Sequence, residues 1–69
     1  MADFEFLNDL SRRLPGRGDT ALNNKTLNRL LAISGNTDPN LVRPDGYSVH
    51  PIKTVRHLIR ASYQRLAAA

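Results

Sequence analysis

The sequence predicts an all-α fold: a small three-helix protein with a structured loop or tiny hairpin before a long C-terminal helix. Three observations predict it. Apolar residues recur at intervals of three and four in three separate segments, the spacing of one helix face. The only candidate strands, Leu41-Val42-Arg43 and Tyr47-Ser48-Val49, have three residues each, too short to stand as a free hairpin. Cysteine is absent, which excludes a disulfide framework and cysteine zinc sites, so stability must come from helix packing or from a partner.

The first helix is expected from about Asp3 to Leu14. Phe4, Leu7, Leu10 and Leu14 form its stripe with Phe6 beside it, and Asp3 is a candidate N-cap. Asp3 and Glu5 suit the positive end of its dipole, Arg12 and Arg13 the negative end, and Pro15-Gly16 stops it. Residues 16–19 read as a linker. Asp19, Thr20 or Asn23 is expected to cap a second helix, about Leu22 to Ser34, with Leu27, Leu30, Leu31 and Ser34 on its stripe and Gly35 ending it. Residues 36–50 are less regular, and Pro44-Asp45-Gly46 within them has the chemistry of a tight turn.

The third helix, about Pro51 to Leu66, is the clearest. Ile52, Val55, Ile59, Ser62 and Leu66 form an apolar stripe, with Leu58 and Tyr63 beside it, and Lys53, Arg56, His57, Arg60 and Gln64 form the opposite face. The chain carries ten Lys and Arg against six Asp and Glu, and the excess lies late in the sequence: no acidic residue falls between Val49 and Ala69. Solvated helix faces usually mix signs, so a one-signed face points to an anionic partner.

At 69 residues the chain has room for one domain (1–69), and a chain this short buries only about 60% of its unfolded surface. Three apolar stripes in so thin a core predict a homodimer, its seam made by Ile52, Val55, Ile59 and Leu66. That leaves Tyr47, on the loop, and Lys53, Arg56, Arg60 and Gln64 for a partner.

Other functions find no support in the residues. Serines 11, 34, 48 and 62 have no base arranged beside them, and no two carboxylates share a readable face, so no catalytic residue is expected. His50 and His57 lack a third ligand, and neither metal nor cofactor is expected. Arg17-Gly18-Asp19 spells a tripeptide used by some extracellular adhesion proteins, but with no cysteine and no leader it reads as linker. A helix-turn-helix fails because Pro44 breaks the recognition helix about five residues after Pro39. No apolar run approaches the ~20 residues needed to cross a bilayer, and helix 3 has no Trp or Phe to anchor at a membrane surface. A soluble, cytoplasmic protein that does not bind membranes is expected.

In size, charge and layout the whole chain resembles the small accessory proteins that phages and mobile elements encode to inhibit host regulators, though no sequence motif carries the resemblance. It implies a protein target, such as a transcriptional activator, held by sequestration, and it assigns no binding residue. The expected function is therefore that of a small dimeric interaction protein, a regulator or inhibitor of the anti-activator kind. The alternative is a small dimeric DNA-binding regulator that sets the basic face of helix 3 on phosphates.

Overall fold

In a computed structural model, which describes residues 2–69, the chain is α+β rather than all-α. Helices α1 (Ala2–Arg13), α2 (Asn24–Ser34) and α3 (Ile52–Ala68) are joined by two strands, β1 (Asp19–Asn23) and β2 (Tyr47–Pro51), and by a short 3-10 turn at Pro39–Leu41. β1 and β2 pair antiparallel, Asp19 opposite Pro51 and Asn23 opposite Tyr47. The ladder runs one step further at each end, where the Asn24 N–H donates to the Gly46 carbonyl and the Ile52 N–H to the Gly18 carbonyl, both at 2.8 Å.

This overturns the all-α expectation for two physical reasons. Tyr47-Ser48-Val49 is extended, but its partner is not the neighbouring Leu41-Val42-Arg43. It pairs instead with the segment read as a linker and cap, 24 or more residues away, and local pattern does not record such pairings. The alternation of β2 is also reversed. Ser48 and His50 point inward while Tyr47 and Val49 point out, so the strand lacks the apolar-in, polar-out signature.

Each helix keeps its expected stripe. Leu7 and Leu10 of α1, Leu27, Leu30 and Leu31 of α2, and Ile52, Val55, Leu58, Ile59 and Ser62 of α3 are buried, and α3 packs against both other helices. Phe4, placed on the first stripe, lies nearer the surface and stacks on Tyr63, ring centroids 6.2 Å apart. Of the three candidate caps, Asn23 caps α2: its side-chain carbonyl accepts from the Lys25 N–H at 2.8 Å. Asp3 lies in the first turn of α1, not at its cap, and α3 starts one residue after Pro51.

Three of the four residues expected at a dimer seam on the stripe of α3 are used inside the chain instead. Ile52, Val55 and Ile59 are buried in the chain's own core, and Leu66 packs half-buried against it. The core is less thin than three isolated helices imply because the sheet and the loop supply cover: Leu22 of β1 joins it, and Leu41 and Val42 lie against it. Ile52, Val55 and Ile59 are at most 5% exposed and have almost no surface left for a second copy.

Gly35 ends α2 at φ 77°, and its N–H donates to the Ala32 carbonyl. A Cβ there would also lie 2.6 Å from the tip of the Arg65 side chain, which is flexible enough to swing away. We expect Gly35→Ala to cost about 1 kcal/mol, mostly from the left-handed backbone, measurable as a lower urea midpoint with an unchanged slope.

Candidate binding groove and pinned loop

The region 36–46 is an ordered loop, held by polar side chains that β2 turns inward. Ser48 is fully buried; its hydroxyl donates to Asn24 Oδ1 at 2.6 Å and accepts from the Arg43 N–H at 2.9 Å. Asn24 Nδ2 closes the triangle by donating to the Arg43 carbonyl at 2.5 Å. His50 Nε2 lies 2.7 Å from the Leu41 carbonyl, and since a carbonyl only accepts, the proton is on Nε2. Gly46, at φ 94°, makes the turn back into β2. Ser48→Ala strands the Arg43 N–H and one bond of Asn24, and is expected to cost about 1–3 kcal/mol, with faster hydrogen exchange over the loop as the specific sign.

The ten cations sort by what they touch. Arg12 and Arg13 face Asp9, and Arg43 faces Asp45. Arg29 reaches Asp3 and the Ala2 carbonyl and lies 4.3 Å over the Phe6 ring. Arg65 donates to the Ile33 carbonyl at 3.1 Å beside the end of α2. Of the remaining five, Lys25 stands apart, and Arg17, Lys53, Arg56 and Arg60 line one open groove of about 750 Å³. The loop from α1 to β1 forms one wall, through Gly16, Arg17 and Gly18, and the exposed face of α3 forms the other.

No carboxylate lines this groove, and among the described residues none lies within ion-pair distance of its four cations. His57 and Gln64 complete the α3 wall, and Pro51 and Tyr63 make it partly apolar. Two contacts hold the walls at this separation. Ile52 donates its N–H to the Gly18 carbonyl, and Arg56 Nη2 donates to the Pro15 carbonyl at 3.2 Å. Tyr63 is itself fixed by a hydrogen bond from its hydroxyl to Asn8 Oδ1 and by its stacking on Phe4.

Four of the five side chains expected to meet a partner, Lys53, Arg56, Arg60 and Gln64, therefore share this groove. Tyr47 does not. It sits, 58% exposed, at the far end of β2 from Pro51. Arg17, Pro51 and Tyr63 are among the groove residues that the sequence does not assign to a partner. Arg17 reads as linker in the sequence, because its position across from α3 depends on a strand pairing that local pattern does not record.

Among the described residues no three of His, Cys, Asp and Glu group closely enough to hold a metal ion, and no helix is long and apolar enough to cross a membrane. No protein-family model, curated protein or solved structure matches the chain, so its site is read from its own geometry.

Proposed function

We propose that this chain is a small interaction protein that holds an acidic segment of another protein in the groove beside α3 and thereby modulates that protein, most directly by blocking the surface it covers. One observation carries the reading: four cations without a carboxylate partner converge on one groove. Mutual repulsion raises the free energy of such a cluster, and an incoming anion relieves it. Sequestration of a regulator, as in the small inhibitors the chain resembles in size and layout, needs nothing more than this occupancy.

The concave shape favours protein over duplex DNA. A helix that reads the major groove must project into a channel about 12 Å wide, whereas the cations of α3 lie within a groove whose other wall is the Arg17 loop. The experiment that tests the proposal is affinity capture from the native host with nuclease treatment, followed by binding of the purified candidate at several salt concentrations. A stoichiometric protein complex weakened by salt supports it. Recovery of nucleic acid alone, or duplex binding with a log–log salt slope near 0.9 per phosphate contacted, refutes it.

A further inference from the structure

The reversed alternation of β2 leaves an apolar row on the surface. Ser48 and His50 face inward because they hold the loop, which turns Tyr47 and Val49 outward, 58% and 59% exposed and covered by nothing else in the chain. Ala21, opposite Val49 in the register, is exposed as well. Pro51 is the next residue on that same face of β2, and it also lines the cationic groove. The apolar row and the groove thus meet at Pro51, beside the exposed Asp19 that lies opposite it in the register. At about 3.3 Å per residue, Tyr47 to Pro51 covers about 13 Å, and at 1.5 Å per residue Lys53 to Arg60 covers about 10 Å.

We infer that this surface receives a single segment of a partner protein, apolar at one end and acidic at the other. Its apolar end covers Val49 and Tyr47, and its acidic end lies among Lys53, Arg56 and Arg60. The inference rests on the groove's taking an acidic segment and adds the second half of the footprint. Charge complementarity selects the occupant: the groove demands carboxylates, and a second copy of this chain brings the same net +4. A run of acids alone would leave the apolar row wet. An apolar segment alone would leave four cations unpaired. The combination gives the aromatic anchor and the charged rim that protein interfaces use.

The test is selection of random 16-residue peptides displayed on phage against the immobilised full chain. Recovered peptides are then synthesised with a fluorescent label and titrated by anisotropy. Two double variants of exposed residues are compared with the parent, Tyr47→Thr with Val49→Thr, which puts a strand-compatible β-branched residue at both positions, and Lys53→Glu with Arg60→Glu. Circular dichroism and melting confirm that each is folded. The expected result is recovery of peptides that join an apolar cluster to a run of Asp and Glu, each losing at least tenfold in affinity to either variant.

Peptides that are acidic but indifferent to the Tyr47 and Val49 changes overturn this inference and leave the acidic-segment reading standing. Peptides without acidic enrichment, or no binders at all, overturn both. So does a labelled dT16 oligonucleotide that binds as tightly as the peptides and displaces them.

Discussion

Replacing Leu30 by alanine removes a large part of the folding free energy of this chain. Leu30 is fully buried where α2 meets α3, and its carbonyl lies 3.4 Å from Ser62 Oγ on the facing helix. Removing a buried leucine side chain costs about 2–5 kcal/mol, the sum of lost transfer energy and an unfilled cavity. A chain of 69 residues has roughly 3–10 kcal/mol in total. For a domain this small, each 1 kcal/mol moves the Tm by about 4–8 °C, so the variant should melt at least about 8 °C below the parent. A fall of only two or three degrees would show that α2 and α3 do not meet there. Ile59→Asp tests the same core from the α3 side. It places a charge where the side chain is 5% exposed, so it unfolds the chain and does not divide a dimer.

The second large effect is on binding. Arg56→Glu combined with Arg60→Glu takes the net charge from +4 to zero, since each substitution removes a positive charge and adds a negative one. Both side chains are exposed, so folding should change by less than about 1 kcal/mol, the scale of surface charge interactions. Affinity for the acidic partner, or for immobilised polyglutamate at low salt, should fall by about 100-fold, because two attractive pairs become two repulsive ones. Arg56 also donates to the Pro15 carbonyl, so Lys53→Glu with Arg60→Glu serves as the control that keeps this tie between the walls. Retention on polyglutamate equal to the parent's would make the groove no more than a solvated face.

Helical content was legible in the residues because helix periodicity is local. The stripe of α3 fell where the spacing placed it, and Asn23 and Gly35 bound α2 through side-chain and backbone preferences that need no tertiary information. The sheet was not legible. Asp19–Asn23 contains one β-branched residue, Thr20, and becomes a strand only because Tyr47–Pro51 lies beside it. Half of the groove followed from charge: Lys53, Arg56 and Arg60 repeat at helical spacing with no acid among them. The other half required Arg17 to be carried across to α3, which depends on the bond between Gly18 and Ile52. The seam drawn through Ile52, Val55 and Ile59 failed for a related reason: counting stripes omits the cover that Leu22, Leu41 and Val42 provide.

The strand pairing also governs how quickly this chain can reach its native state. Three helices with short connections would fold on the microsecond to millisecond scale, since most of their contacts are local. Here β1 and β2 join residues 24 to 32 positions apart and enclose all of α2 and the pinned loop. That closure loses chain entropy before its hydrogen bonds repay it. The rate is therefore set by one antiparallel encounter, in which β2 must find β1 across the whole of α2 and the loop.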